Sequence, residues 1–382
     1  MKAPKVLFLN GSGQPGGGEV ALAQLAAAVP GARIVLFEEG AARRLFAERG
    51  LDVEVVSLPE SVRRDSKESG VPGVGVVLGV LRHALTIARL SRGCDVVHCN
   101  NQKSWVVGAL ATALSRRPVV WHLHDILTTE HFSRTKIRLA IWLSRWRGAK
   151  VVTNSIASRE AFVAAGGAAS RIEVLYNPVD PAPFRAALPI PGFKVSLGAG
   201  DEPVWGLFSR LASWKGQHVA IEALARLERG HLVLVGAPLF GEEPWEAHLR
   251  SLVASLGLES RVHFLGFRSD IPSLLASVDG AIHASTVAEP FGLVILEAQL
   301  AGRPVVAAAA GGALEIVEHG VDGWLVPPGN PRALAEVLSG WSLDPAAAAA
   351  VGAAARDRAA AKFDAAALSN RFRQILAEES RA

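Results

Sequence analysis

Two glutamates eight residues apart are the sharpest chemical signal in the sequence. Glu289 ends a predicted strand-to-helix loop, and Glu297 follows about two helical turns later. A carboxylate beyond a strand end can accept hydrogen bonds from sugar hydroxyls, and one inside the helix can accept them from a ribose diol. Between them, the backbone N–H groups near Gly292, Leu293 and Val294 form a helix N-terminus, which favours a diphosphate. The order predicts one ligand with sugar, phosphate and ribose in a row.

The two glutamates alone leave a second interpretation open, in which one acid is solvated and the other stabilises its own helix dipole. The residues after them resemble the donor domain of the family-4 retaining glycosyltransferases, where E-x7-E precedes G-x-P-V-V, Gly-Gly, E-I-V and G-x-L-V-P-P. The matching segments, all in one register, are Glu289–Glu297, Gly302–Val306, Gly311–Gly312, Glu315–Val317 and Gly323–Pro328. The resemblance places the whole loop, Phe291 included, in a donor site.

A basic element upstream also resembles this family. Ser209-Arg210-Leu211 and Lys215-Gly216 are similar to the family's G-R-L…K-G, with Ser209 in place of the usual glycine. The resemblance implies that Arg210 and Lys215 hold the donor diphosphate, which gains negative charge as the glycosidic bond breaks. Without the resemblance, two basic residues after a strand would most often be solvated.

A glycine-rich loop follows the first predicted strand. Residues 11–16 formally contain G-x-G-x-x-G, and Glu38 and Glu39 follow at the distance of a ribose-binding acid, so an NAD(P)-dependent oxidoreductase is one alternative. The run of Gly16, Gly17 and Gly18 makes the loop longer than that motif requires. It is similar to the family's Gly-Gly-x-E, which implies a phosphate-facing turn. A plain tight turn stays open.

Two more positions follow from the resemblance. The strand that begins at Val119 resembles the family's strand ending in a histidine near the reacting sugar, which selects His124 with His122 as the fallback. A structural histidine is the other interpretation. Phe267 and Arg268 lie where the family grips the nucleobase, largely through backbone atoms. UDP is the commonest donor nucleotide in such enzymes, and GDP and ADP stay open as alternatives.

Short β-branched runs alternate with amphipathic stretches in both halves, which predicts two parallel sheets with helices on both faces. The predicted domains are 1–180, an acceptor-binding domain, and 204–362, a nucleotide-sugar domain, joined by a Pro- and Gly-rich linker at 181–203. A C-terminal helix, 363–382, is expected to pack on the N-terminal domain. The fold class is therefore α/β of the GT-B kind, with two Rossmann-like doubly wound domains facing a central cleft.

The resemblance implies transfer of a hexose-type sugar with retention, from a nucleoside-diphosphate sugar to an acceptor hydroxyl in polysaccharide, glycolipid or glycoside biosynthesis. No cofactor is expected beyond that co-substrate, and no metal, since the sequence contains no Asp-x-Asp pair and no Cys/His metal spacing. A nucleotide-sugar epimerase and a noncatalytic binding protein of the same fold are further alternatives. Acceptor specificity is expected in loops such as Val62–Val74.

Charge and targeting signals predict the location. Residues 1–190 hold 24 Lys and Arg against 15 Asp and Glu, while residues 191–382 hold 16 against 21, which hints at an anionic partner for the first half. The apolar stretch Val6–Leu9 is too short for a signal peptide, and the run Val71–Leu81 is too short to span a bilayer. Cys94 and Cys99 fit a reducing compartment. We expect a cytoplasmic protein with no nucleic-acid partner.

A basic segment with two tryptophans adds a membrane hypothesis. Residues 132–150 carry six Lys or Arg residues together with Trp142 and Trp146, so the segment could lie on an anionic membrane at the inner face. A sheet-packed helix with a basic solvated face is the more ordinary interpretation. If the segment contacts a membrane, we expect a lipid-linked acceptor. If it does not, we expect a sugar or another small molecule as the acceptor.

Overall fold

The computed structural model describes residues 3–59, 62, 73–239 and 241–381. Most of the predicted specificity loop Val62–Val74 lies outside these residues. The chain divides into two compact units, one formed by Met1–Pro178 with Ala365–Ala382 and the other by Val179–Asp364. Each unit is described by itself below.

The first unit is built on a seven-stranded parallel sheet in the order β3-β2-β1-β4-β5-β6-β7. Its strands are β1 Val6–Asn10, β2 Arg33–Leu36, β3 Asp52–Val55, β4 Val96–Cys99, β5 Val119–Leu123, β6 Lys150–Thr153 and β7 Ile172–Val174. Its helices up to Pro178 are α1 Gly17–Ala27, α2 Ala41–Ala47, α3 Val74–Ser91, α4 Gln102–Ser115, α5 Arg134–Arg147 and α6 Ile156–Ala164. The central strands are buried along their whole length, as expected when helices cover both faces of a parallel sheet.

The second unit repeats the pattern with a six-stranded parallel sheet in the order β10-β9-β8-β11-β12-β13. Its strands are β8 Val204–Phe208, β9 His231–Val235, β10 Val262–Gly266, β11 Gly280–His283, β12 Val305–Ala308 and β13 Trp324–Val326. Its helices are α7 Ala182–Ala186, α8 Phe193–Ser196, α9 Gln217–Leu224, α10 Glu243–Ser255, α11 Ile271–Ser277, α12 Leu293–Leu300, α13 Ala313–Ile316, α14 Pro331–Leu343 and α15 Pro345–Lys362. The predicted pair of Rossmann-like α/β units is confirmed.

The segment 181–203, predicted as a linker, packs within the second unit. The Ile190 N–H donates a hydrogen bond to Ser277 Oγ at 2.8 Å, and Lys194 Nζ lies 2.6 Å from a carboxylate oxygen of Asp279. Both partners are more than 80 residues away in sequence, so local composition could not reveal these contacts.

The chain ends in helix α16, Ala365–Glu379, which belongs to the first unit. Its Phe372 is fully buried, with ring centroids 6.2 Å from Phe8 and 5.3 Å from His98. Arg371 grips the Glu173 carboxylate with two nitrogens, at 2.6 and 2.9 Å. Apolar packing and this paired ion contact hold the C-terminal helix on the first sheet.

Two buried histidines lie under α16. Burial lowers the pKa of His98 to about 3 and that of His122 well below its usual value, and neither ring has a hydrogen-bond partner among the described residues. Both rings are therefore neutral in the folded protein at pH 7. An unfolded histidine takes up a proton below about pH 6.5, so stability should fall as pH drops through that value toward 4.

We predict that His98→Phe removes part of this acid sensitivity. When pH falls from 7 to 5, the unfolding free energy of the wild type should drop by about 2 kcal/mol more than that of the variant, because only the wild type protonates His98 on unfolding. Urea unfolding at both pH values measures the difference. Parallel pH profiles for the two proteins would show that His98 does not titrate as its burial implies.

Candidate functional site

In a doubly wound sheet, ligands bind beyond the carboxyl ends of the strands where the strand order reverses. In the second unit this point lies between β8 and β11, and in the first unit between β1 and β4. The loops after β8 and β11 carry Lys215 and Glu289, while the loops after β1 and β4 carry the glycine-rich turn and two asparagines. Topology therefore selects three segments that the sequence motifs also select, and it adds the loop after β4.

The Glu289 carboxylate is the centre of a buried cluster in the second unit. Its Oε1 lies 2.6 Å from Lys215 Nζ and 3.0 Å from His283 Nε2, and it also accepts a hydrogen bond from Ser285 Oγ. The side chains of Lys215 and Glu289 are only 17% and 9% exposed. The sequence motifs predict these two residues as separate ligand contacts, whereas the structure pairs them.

Electrostatics keep Glu289 ionised. Burial alone would raise the pKa of this carboxyl, but the charge and hydrogen bond of Lys215, with the nearby imidazole of His283, hold it well below its usual range. At neutral pH Glu289 is therefore an acceptor of hydrogen bonds and a partner for cations rather than a proton donor.

Trp214 organises the two predicted cations. Lys215 Nζ lies 4.2 Å from the Trp214 ring centroid, and the Arg210 guanidinium lies 5.7 Å from it. Arg210 also pairs with Glu242 at 2.9 Å. The Thr286 N–H donates to the Trp214 carbonyl at 2.8 Å, so the loop after β8 is tied to the loop after β11. No sequence motif indicates this role for Trp214.

The N-terminus of α12 lies immediately after the Glu289 loop. Gly292 caps it with φ +90°, a value that suits glycine, and a glycine has no side chain to bond the N–H groups of the first turn. Leu293 and Val294 form the first helical positions, and Val294 lines a small pocket with Lys215 and Glu289. Phe291 points away into the core, 2% exposed and edge-on to Phe363. Phe291 thus anchors the Glu289 loop through its packing in the core.

The glycine pair of the sequence motif also supports this loop. The Gly312 N–H donates to the Glu289 carbonyl at 2.9 Å, and Gly311 pairs with Glu289 in an isolated parallel bridge. A Cβ at Gly312 would lie 2.5 Å from Phe291 Cα. Only glycines allow the two backbones to approach this closely.

Glu297 lies on α12 with a partly buried side chain. Burial raises the pKa of its carboxyl to about 7, and no described residue forms a hydrogen bond or ion pair with it. Such a carboxyl is poised to accept hydrogen bonds from a ligand.

Phe267 and Arg268 lie beyond the end of β10, which β9 separates from β8. The Phe267 side chain is 73% exposed, and Arg268 Nε donates to Asp270 at 2.7 Å. They share the carboxyl edge of the sheet with Lys215 and Glu289 but do not belong to the buried cluster.

In the first unit the glycine-rich turn lies beside His124. Gly16 caps α1 and donates its N–H to Glu19 at 3.1 Å, which leaves Gly17 and Gly18 in the first turn of the helix. A Cβ at Gly18 would lie 3.4 Å from the His124 ring. The structure therefore brings these predicted residues together.

An asparagine network, which sequence analysis missed, fixes His124. Its Nε2 lies 3.0 Å from Asn100 Oδ1, while Asn100 and Asn101 both donate to Asn10 Oδ1 at 3.1 Å. Burial lowers the pKa of His124 to about 4, so the ring is neutral at pH 7. Burial also raises the pKa of the adjacent Asp125 to about 6. All five polar residues end or follow strands, and this position is the signal that could have identified the three asparagines.

The fallback His122 and the two candidate ribose acids lie elsewhere. His122 is fully buried in the core, 4.0 Å from the His124 ring between centroids. Glu38 pairs with Lys103 at 2.7 Å and Glu39 with Arg43 at 3.3 Å. The acids on which a dinucleotide site would depend thus have cationic partners within the chain.

Comparisons with known proteins cover both units. Residues 15–183 match the family described as Glycosyltransferase Family 4, and residues 193–358 match Glycosyl transferases group 1. D-inositol 3-phosphate glycosyltransferase 1 of Catenulispora acidiphila is 30% identical over 92% of this chain and 88% of its own length. An uncharacterized glycosyltransferase of Methanocaldococcus jannaschii is 33% identical over 65% of this chain and 67% of its own length.

A solved structure is similar over nearly the whole chain. HepE of Anabaena, crystallised in complex with UDP and glucose, superposes with a TM-score of 0.89 and 39% sequence identity, covering 98% of this chain and 99% of HepE. The same protein in complex with UDP-glucose gives a TM-score of 0.88. This similarity confirms the predicted GT-B fold class.

Proposed function

Because the chain belongs to the glycosyltransferases of group 1 and family 4, we propose that it transfers a hexose from UDP-glucose or a related UDP-sugar to an acceptor hydroxyl, with retention. The observation that carries the proposal is the buried Lys215–Glu289 pair beside the open N-terminus of α12. The UDP-glucose complex of HepE, 39% identical, supports the choice of donor.

The diphosphate is proposed to bind at this helix N-terminus. An ammonium has three N–H donors, and Glu289 engages one of those of Lys215, so the others can meet phosphate oxygens. Arg210 supplies a second cation, and the N–H groups near Gly292, Leu293 and Val294 supply neutral donors. These groups stabilise the charge that develops on the departing nucleotide.

The remaining donor contacts extend from this point. Glu297, about two helical turns into α12, is proposed to accept from the ribose diol, and the backbone near Phe267 and Arg268 to hold the base. The polar contacts that the Glu289 carboxylate makes with the described residues all use Oε1, which leaves Oε2 to accept from a sugar hydroxyl.

Retention is proposed to need no enzymic nucleophile. The acceptor attacks on the face from which the phosphate leaves, and that phosphate takes the acceptor proton. The protein orients the reactants and excludes water. His124, neutral and held by Asn100, is proposed to contact a sugar hydroxyl, and the turn Gly16–Gly18 to face a phosphate.

The acceptor is proposed to be a sugar, a lipid-linked saccharide or a small molecule, within a polysaccharide, glycolipid or glycoside pathway. A cytoplasmic location with peripheral membrane contact belongs to the same proposal. The basic first half, with 24 Lys and Arg against 15 Asp and Glu up to residue 190, supports an anionic partner.

The proposal is tested by UDP release from UDP-glucose with a panel of acceptors, with GDP- and ADP-glucose as alternative donors. Product NMR should show the anomeric configuration of the donor. An epimerised nucleotide sugar formed without acceptor, or an inverted product, would contradict the proposal.

The raised pKa of Glu297 gives a pH prediction. Diol donors favour the ionised carboxylate, so UDP-glucose affinity should rise about tenfold from pH 6 to pH 8, through the pKa of about 7. Glu297→Gln should bind more weakly and show no such rise. UDP-glucose serves as the ligand in calorimetry because its diphosphate does not titrate in this range. A pH-dependent wild type with an equally pH-dependent Gln variant would assign the titration to another group.

A further inference from the structure

Helix α3 carries an apolar stripe on its exposed side. Its large apolar residues that stay exposed lie at spacings of three or four, on one helical face. They are Val74 at 77% exposure, Val77 at 45%, Leu78 at 56%, Leu81 at 45% and Leu85 at 47%. The opposite face is occupied, since Ala84, Ile87 and Ala88 are buried in the core of the first unit. A contiguous row of exposed apolar side chains marks an interaction surface.

Helix α5 presents a second exposed apolar row. Leu139, Trp142 and Trp146 follow one another at spacings of three and four, and the tryptophans are 57% and 47% exposed. Their rings stack in parallel with centroids 5.5 Å apart. Indoles that are exposed rather than buried are typical of the interface between water and lipid.

The two rows belong to one surface with a single sign of charge. Helices α3 and α5 both pack against α4, which lies between them and exposes Leu114 at its end. None of the three helices contains an Asp or Glu. Their basic residues are Arg82, Arg89, Lys103, Arg134, Lys136, Arg138, Arg145 and Arg147. We call the exposed faces of α3 and α5 the α3/α5 surface.

We propose that the α3/α5 surface docks on a bilayer that contains anionic phospholipid. Apolar side chains with tryptophans and bases but no acids form the pattern that binds the headgroup region through hydrophobic insertion and charge. The α3 surface extends the membrane interpretation of residues 132–150 to a second helix, which the sequence did not indicate. The inference deepens the membrane contact included in the proposed function, and it does not depend on the proposed sugar transfer.

Helix α3 lies on the bilayer in this proposal rather than crossing it. By length and composition Val74–Ser91 is long and apolar enough for a membrane span, and a third of it is buried within the protein. His83 packs edge-on against Phe37 at 4.5 Å, and α3 also carries Arg82 and Arg89. Crossing would expose this packed face and place both arginines in hydrocarbon, which is costly.

Two other occupants fit the α3/α5 surface less well. A symmetric dimer through the α3/α5 surface would bring two acid-free basic faces together. A nucleic acid would be attracted by the bases but would leave the two apolar rows without a partner. Anionic lipid can pair with the basic residues and also cover the two apolar rows.

The test is sedimentation of the full chain with vesicles of phosphatidylcholine alone or with phosphatidylglycerol, at low and high salt. Binding should require phosphatidylglycerol, weaken with salt, and shift tryptophan emission to the blue. Arg138→Gln with Arg145→Gln should weaken binding about thirtyfold, since each basic residue near the surface contributes about fivefold. Trp142→Ser with Trp146→Ser, and separately Leu78→Ser with Leu81→Ser, should weaken it at constant charge.

Leu188→Ser with Leu343→Ser is the matched control, since both leucines are highly exposed, at 78% and 84%, and lie in the second unit. Circular-dichroism melts check that every variant folds. The proposal is overturned if the wild-type protein does not bind phosphatidylglycerol vesicles. It is also overturned if the α3/α5 surface variants bind these vesicles as tightly as the control variant does. If the protein binds an oligonucleotide but no vesicles, the surface belongs to nucleic acid. If the protein binds no vesicles and forms a dimer that Leu78→Ser with Leu81→Ser abolishes, the surface belongs to a second copy.

Discussion

Lys215→Met is expected to lower kcat/KM for sugar transfer by about 10²- to 10³-fold, the cost of removing one preorganised charge-stabilising donor. It should also lower the unfolding free energy by about 3 kcal/mol at pH 7, because Glu289 is left in a buried site without its closest cation. Initial rates and urea unfolding on the same preparation measure both effects.

A double-mutant cycle separates these two effects. Adding Glu289→Gln to Lys215→Met removes the unpaired charge, so the double variant should regain part of the lost stability while its kcat/KM stays at least as low as that of Lys215→Met. Simple addition of the two single-variant stability losses would show that the pair is not coupled. Near wild-type transfer by Lys215→Met would remove Lys215 from the proposed site.

Gly216→Ala should be nearly as damaging, although it changes no charged group. Gly216 has φ +72°, and a Cβ there would lie 1.8 Å from the Ala284 carbonyl oxygen at the end of β11. The left-handed backbone and the clash should together cost about 3 kcal/mol, and the turn that carries Lys215 must shift away from Glu289. Thermal and urea unfolding, with the transfer rate, test this.

Gly257→Ala is the control for Gly216. Gly257 has φ +65° with open space around its Cα, so its substitution should cost about 1 kcal/mol from backbone strain alone and leave transfer intact. Equal losses at the two glycines would show that the contact with Ala284 has no special importance.

The sequence was sufficient for the sheets because buried parallel strands are short β-branched runs between helices. Strands β8, Val204–Phe208, and β11, Gly280–His283, are two such short runs, and both are buried along their whole length. The segment 181–203 was harder to predict. Its prolines and glycines indicate a break between domains, whereas its packing depends on Ser277 and Asp279, which are distant in sequence.

The candidate site was partly accessible from sequence. The spacing to Glu297 pointed to Glu289 and the family resemblance to Lys215, but 74 residues separate the two, and no local pattern shows that they form an ion pair. Asn100 and His283 were missed because a polar residue at a strand end becomes informative only when the strand order is known. Sequence identified the residue types, and topology identified their partners.

The most direct test of the central claim is a thermal-shift titration with UDP, GDP, ADP and NAD, on wild-type protein, Glu297→Ala and Lys215→Ala. A ligand that binds only the folded state raises Tm by mass action. The account predicts stabilisation by UDP, lost or strongly reduced in both variants, because both side chains belong to the proposed donor site. Stabilisation by NAD alone, unchanged in both variants, would contradict it.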